Sequence, residues 1–369
     1  DRSPSRGLGD VYKRQDLNVL QTVPASSMNR DDTGAPKTAL FGGAMRSRVS
    51  SQSWKQAMRK AFREAHVDTG NRTKEAAKLL AATLMGLNPS LDEEAAFTKA
   101  HEVFDAAGIK FDKTKKDETK VLLLVSPGQI EKLAQYALVH DQLDKKEVKQ
   151  VLQSDNSLDL ALFGRMVADN PELNVEGSAQ VAHAISTHEV VPEFDYYTAL
   201  DDLKGKDTNG AGFIGTDEFN SSTLYRYANL NVNELVHNIG VKSTVTGVSD
   251  FIKAFLFSMP TGKQHSFANK TLPNYVMVTI RTDTPVNLVS AFEEPIRSTT
   301  GYVRESVHRL ETEYKSTLHV VMDKPLETVI LSDGKVESSI GVQAANIQEL
   351  LDKVTEVLTK VVQDENTND

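Results

Sequence analysis

Residues 29–63 read NRDDTGAPKTALFGGAMRSRVSSQSWKQAMRKAFR, and they divide into a loop and a helix with two distinct faces. The loop, rich in Ser, Asp, Gly and Pro, is expected from Ala25 to Val49. Its Gly42-Gly43 pair permits backbone conformations that other residues resist. A helix is expected to start at Ser50 or Ser51, both residue types that cap helix N-termini. At about 100° per residue, Gln52, Lys55, Arg59 and Arg63 fall within roughly 80° of one another. Trp54, Met58, Ala61, Phe62 and Ala65 occupy a second arc, centred roughly 120° away. One face is an apolar anchor holding the only Trp. The other is a cationic stripe with no acid on the helix before Glu64.

Charge sets the stretch apart. The chain of 369 residues carries a formal charge of -9, yet Arg30 to Arg63 contains eight basic residues and two acids. A basic island on an acidic chain implies a polyanion site at a defined place, against the plainer reading of a solvated face. The acids Asp31 and Asp32 have two readings. They orient Arg30 and its basic neighbours or cap the turn, or they bind Mg²⁺ and cleave a phosphodiester.

Working outward, Asp16–Val23 (DLNVLQTV) roughly alternates polar and apolar residues and reads as a half-buried strand ending at Pro24. From His66 to His188 the pattern is mostly helical: KEAAKLLAATLMG, DEEAAFTKAHEVFDAAG, PGQIEKLAQYALVHDQL and KKEVKQVLQ place apolar residues at spacings of three and four. A strand is expected at Lys120–Val125 and a short strand or bend at Leu162–Met166. Phe194–Asn229 is rich in Gly, Asp, Ser and Tyr. Its turn cluster KGKDTNGAG between two possible strands suggests an extended hairpin arm. Beyond it, helix is expected at Ser249–Ser258, strand at Tyr275–Ile280, a helix start at Pro285–Glu294, strand at Thr317–Met322 and helix at Asn346–Val362. Strands far apart in sequence and separated by helices imply an α+β fold, one sheet domain with a large helical insertion.

Several chemistries find no support. With no Cys there is no disulfide, thiolate zinc site or Cys nucleophile. The nine His are scattered, without H-E-x-x-H. P-loop, G-x-G-x-x-G and G-x-S-x-G patterns are missing, as is the RNP1 pattern of standard RNA-recognition modules. No apolar run is long enough to span a bilayer, and a cytoplasmic location is expected. Residues 1–15 lack a period and are expected to be a leader, disordered or adapter-derived.

The strings NRDDTGAPKTALFGG and RVSSQSWKQAMR are followed in order by LFGRM (162–166), QVAHAISTHEV (180–190), DYYTALDDL (195–203), GTDEFNSSTLYRYANLN (215–231) and KQHSFAN (263–269). Together they resemble the CasC backbone subunits of the type I-E CRISPR surveillance complex, Cascade, in the RAMP superfamily. The resemblance covers residues 16–360, about the whole chain beyond the leader. It implies a modified ferredoxin-like, RRM-like palm (16–66, 189–195 and 229–369), a helical finger domain (67–188) and a thumb arm (196–228). It implies a non-catalytic subunit without cofactor or metal, whose copies stack along CRISPR guide RNA (crRNA) and present the spacer to target DNA. Its implied partners are crRNA, target DNA through the guide heteroduplex, other copies of itself, and the large, small, crRNA-end-capping and crRNA-processing subunits. RNA contacts are implied at Arg30, Lys37, Val49, Ser50, Gln52, Lys55, Arg59 and Met166. Tyr196, Tyr197 and Thr198 align with a thumb-base segment, with Tyr-Tyr where the compared relative has Trp-Phe. Arg46, Arg48, Lys60 and Arg63 are left to neighbouring subunits, DNA or no specific role. Two alternatives stay open: a metal-dependent ribonuclease of a type III-like effector using Asp31 or Asp32, and a protein-only structural subunit.

Overall fold

The alternation at Asp16–Val23 is realised as a strand that starts earlier, at Arg14, and runs through Pro24 to Ser26. Proline is tolerated there because its strand's pairing with Tyr275–Arg281 ends at Leu20, so no ladder hydrogen bond to that neighbour is lost. The computed structural model describes residues 13–115, 117–199 and 213–363. In chain order its elements are β1 (Arg14–Ser26), β2 (Thr38–Phe41), β3 (Ala44–Val49), α1 (Ser51–Glu64), β4 (Asn71–Thr73), α2 (Ala76–Leu87), α3 (Glu93–Ala106), β5 (Leu123–Val125), α4 (Pro127–Val139), α5 (Lys145–Gln153), α6 (Leu158–Phe163), β6 (Ala179–Val181), β7 (Ala184–Ser186), β8 (Glu193–Ala199), β9 (Phe213–Asn231), α7 (Val232–Ile239), α8 (Val241–Phe257), α9 (Gln264–Phe267), β10 (Tyr275–Arg281), α10 (Val303–Thr317), β11 (Glu327–Ser332), β12 (Val342–Gln343) and α11 (Ile347–Gln363). Helices and one large sheet make it a structure of mixed α and β content. No described helix is long and apolar enough to cross a membrane.

Two compact units share the chain, and the division falls inside α1, after Met58. The first holds the sheet, in the order β12-β11-β10-β1-β9-β7-β3-β2. Strands β10 and β1, β10 and β11, β9 and β7, β7 and β3, and β3 and β2 pair antiparallel, whereas β11 and β12 pair parallel. Strand β1 is not half-buried as its alternation suggests, because both its faces are covered. Its polar residues therefore need internal partners, and β9 supplies them for Asp16, Asn18 and Gln21. Tyr227 donates to Asp16 (2.7 Å), Tyr225 donates to Asn18 (2.7 Å), and Arg226 donates to Gln21 (2.5 Å). Buried polar groups paired in this way avoid the desolvation penalty that an unpaired one incurs. One face carries a core of Leu20, Tyr225, Tyr275, Met277, Leu310 and Ile330 with their neighbours.

Three expectations are corrected in this unit. The loop foreseen over 25–49 contains the β2–β3 hairpin, turned by Gly42 and Gly43 at φ of 59° and 75°. Two successive positive φ values make the tight turn that matches strand twist, and paired glycines adopt them without strain. Thr317–Met322 is no strand, since α10 runs on to Thr317 and turns follow. The place beside β10 is taken by Glu327–Ser332. Pro285–Glu294 yields only a short 3-10 turn at Leu288–Phe292. The arm forms its hairpin, with Glu193–Ala199 registered against Phe213–Phe219. The turn cluster KGKDTNGAG at 204–212 lies outside the described residues.

His188 ties the first unit internally. It is buried, stacks on Tyr302 at 3.6 Å, and its Nε2 accepts from the Thr223 amide at 3.1 Å, while Nδ1 meets the Glu189 carbonyl at 2.8 Å. Burial, aided by the Arg46 charge, holds its pKa below the ordinary value. Below about pH 6.5 the unfolded chain thus takes up a proton that the folded chain refuses, and stability falls with pH by up to about 1.4 kcal/mol per unit. Denaturation of wild type and His188→Gln between pH 5 and 8 checks this. The difference between them should grow with acidity in favour of the variant, and a constant difference would contradict it.

The second unit takes residues 59–180 and 230–254. Helices α2 to α5 pack around Leu80, Leu84, Phe104, Leu133, Val148 and Leu152. The starts of α3, α5 and α4 are capped by residues visible in the sequence: Asp92, Asp144, and Ser126 in a reciprocal box with Gln129. Leu162–Met166 is the end of α6 and its exit, made at Gly164 with φ of 76°.

Candidate nucleic-acid interface

In the first unit the loop after β1 is tied to the start of α1. The Ser50 amide donates to the Asn29 side chain (2.8 Å), and the Ser50 hydroxyl caps the helix through the Ser53 amide (3.4 Å). The Lys37 amide donates to the Asn29 carbonyl (2.8 Å), and the Arg48 amide donates to the Lys37 carbonyl (2.9 Å). Loop, β3 and helix start are thereby fixed relative to one another. Asp31 shapes the loop tip. Its Oδ1 accepts from the Thr33 hydroxyl (2.7 Å), the Thr33 amide (2.9 Å) and the Ala35 amide (3.1 Å). These bonds, the Thr33 hydroxyl first, hold its carboxyl below the usual range. Of the two structural roles expected for the acidic pair, Asp31 fills the turn-capping one. Among the described residues Arg30 has no carboxylate within ion-pair distance, and a polar hollow of about 480 Å³ opens beside it, lined by residues 28–34 and Gly262.

The charges near this loop are arranged in a way the sequence did not disclose. Arg48 donates to the Thr38 carbonyl (3.1 Å) and meets His183 Nδ1 at 3.1 Å. Arginine can only donate, so Nδ1 accepts and the other ring nitrogen carries the proton. Burial first, then the Arg48 and Lys37 charges, hold the His183 pKa down. Lys37, Arg48 and His183 therefore form one electropositive patch. Neither Arg48 nor His183 was among the expected RNA contacts, and the pairing of residues 135 apart leaves no local signal. Lys55 is half-buried, and burial lowers its pKa.

Other members of the basic island are committed to the fold. Arg46 is fully buried and donates to the carbonyls of Phe41, Ser186, Phe292 and Glu293. In the second unit Arg59 pairs with the buried Asp159 at 2.7 Å and donates to the Gly70 carbonyl at 3.1 Å. Asp159 also accepts from the Gly70 amide (2.7 Å) and the Ser157 hydroxyl (2.8 Å). The compensating acid missing from the helix sequence thus lies 100 residues downstream. Arg63 reaches the same carbonyl at 3.4 Å, and Lys60 lies 3.7 Å from Glu64.

The remaining expected contacts differ in what they offer. Val49 is 2% exposed and Ser50 is buried, so only backbone or a hydroxyl edge is available there. Gln52 is exposed on α1. Met166 is 81% exposed, next to Arg165, whose buried guanidinium donates to the carbonyls of Leu124, Leu152 and Leu173. On the arm Tyr196 is 65% and Tyr197 40% exposed, and Thr198 is exposed with them. The Tyr197 ring closes over Gly215, where an added Cβ would lie 2.4 Å from it. Among the described residues no group of three or more His, Asp or Glu is placed to hold a metal ion.

The family described as CT1975-like protein matches residues 16–356. A chain of a solved structure titled "CRISPR RNA-guided surveillance complex, pre-nicking" is 30% identical, with a TM-score of 0.82, covering 93% of this chain and 99% of that one. A chain of a second, titled "CRISPR RNA-guided surveillance complex", is 27% identical with a TM-score of 0.72 and the same coverage. No curated protein matches.

Proposed function

Because the chain belongs to the CT1975-like protein family, we propose that it is a backbone subunit of a CRISPR RNA-guided surveillance complex, stacking in copies along crRNA. The observation that carries this reading is the patch of Lys37, Arg48 and His183, held beside Arg30 and the start of α1 by the loop's backbone bonds. Such a patch suits phosphates and riboses, which are the same under every base, so guides of any sequence can be held while base pairing reads the target. The finer assignment is a type I-E subunit of the CasC kind, with the sheet unit as an RRM-like palm, the helical unit as fingers and the β8–β9 arm as thumb. Its partners are then target DNA, through the heteroduplex, and the remaining Cascade subunits. The role is a non-catalytic scaffold. Asp31 supports this, since Oδ1 already accepts three internal hydrogen bonds.

Two measurements test the reading. Purified protein should carry RNA of uniform length, and protein free of nucleic acid that also fails to bind added RNA would refute it. Incubation with Mg²⁺ and labelled target RNA should give no cleavage. Cleavage that disappears in Asp32→Ala would install the ribonuclease alternative in its place.

A further inference from the structure

Arg226 lies on β9 in the first unit and is 1% exposed. Its Nη1 donates to Gln21 Oε1 at 2.5 Å and its Nη2 donates to the Phe255 carbonyl. Its guanidinium carbon stands 3.8 Å from the centre of the Trp54 ring and 4.6 Å from that of Phe255. No carboxylate lies within ion-pair distance among the described residues, and burial alone pushes its pKa down to about 9. For stability alone this is a poor choice. A buried cation without a counter-ion bears a desolvation cost, and an apolar side chain of similar volume often serves the fold as well or better.

Geometry distinguishes the arginine from such a side chain. A planar cation lying on an indole face fixes the tilt of the ring as well as its depth. Trp54 is the residue by which the first turn of α1 is anchored, and Gln52 and Lys55 flank it on the same turn. With β1 and residue 255 holding the guanidinium, the ring plane of Trp54 is held against it, which ties the rotation of α1 to the sheet.

We propose that Arg226 is a positioning residue for the RNA face, setting through Trp54 the direction in which Gln52 and Lys55 are presented. This rests on the reading that the face binds RNA. The test uses the full chain as wild type, Arg226→Met and Arg226→Lys. Affinity for a single-stranded RNA of fixed length is measured across a salt series, and thermal unfolding is followed without RNA. Arg226→Met leaves Gln21 Oε1 and the Phe255 carbonyl without this donor and should lower the melting temperature modestly, and the protein that remains folded should bind RNA about 10-fold more weakly. Its salt slope should be unchanged, because no phosphate contact is removed. A purely structural role would lower the melting temperature and leave the affinity of the folded protein alone. Wild-type binding by Arg226→Met overturns the proposal. Should that variant fail to fold, Arg226→Lys decides. Its ammonium cannot hold the plane of the indole, so the emission of Trp54, the chain's only Trp, should shift and affinity should fall about 3-fold. Shifted emission with unchanged affinity overturns the proposal. Wild-type protein that binds no RNA at all would sink the reading of the surface and this inference with it, whereas unaffected variants beside a binding wild type sink this inference alone.

Discussion

Lys37→Glu combined with Lys55→Glu is expected to weaken binding of single-stranded RNA by at least about 100-fold at moderate salt and to flatten the salt dependence by about 1.4 in log–log slope. The two parts have one cause. Each phosphate contact with single-stranded nucleic acid releases condensed counter-ions and contributes about 0.7 to that slope, so two lost contacts remove about 1.4. Charge reversal adds repulsion to the loss. Lys37 also acts through its neighbours, since its charge and that of Arg48 help keep His183 neutral. A weaker affinity with an unchanged slope would mean that the two lysines touch no phosphate and that the double variant has merely disturbed the loop. Arg59 is a poor member of this test despite its place on the stripe. Reversing it would set a carboxylate against the buried Asp159, and folding would fail for reasons unrelated to RNA.

Trp54→Ala carries the largest expected loss of stability. The side chain is 1% exposed, and truncating a buried large aromatic costs about 3–5 kcal/mol through lost transfer energy and the cavity left behind. The same change strips the aromatic face from Arg226. Against a typical domain stability of about 5–15 kcal/mol, much of the margin disappears. Urea denaturation should show the drop as a lower midpoint with a nearly constant slope. A midpoint within error of wild type would mean that the indole is not the anchor of α1. Trp54→Phe, which keeps a ring beneath the guanidinium, should recover more than half of the loss.

Much of the local architecture was legible in the residues. The amphipathic split of α1 holds for its apolar side: Trp54, Met58 and Phe62 are all buried. Three helices of the second unit begin at side chains whose capping role is a matter of residue type and spacing. The β2–β3 hairpin is also written in the sequence, as paired glycines between two short apolar–polar runs, but its signal is masked by the Ser, Asp, Gly and Pro of the surrounding stretch. Thr317–Met322 shows the opposite failure. β-Branched residues favour a strand only where a partner strand is free, and the place beside β10 is occupied by β11.

The candidate site divides along the same line. By itself the sequence determined that a basic island exists, that it sits on a loop leading into an amphipathic helix, and that no thiolate or P-loop chemistry accompanies it. Those are properties of composition and of neighbours within a few residues, where periodicity and capping operate. Which cations are left to meet a polyanion was decided only by the tertiary structure. Arg59 was matched with Asp159 across 100 residues, Arg46 was spent on carbonyls, Arg48 was drawn to His183, and Arg226 was laid on Trp54. The physical reason is range. Charge pairing and desolvation act through space over a few ångströms, and the sequence distance between two residues says nothing about whether the fold brings them that close.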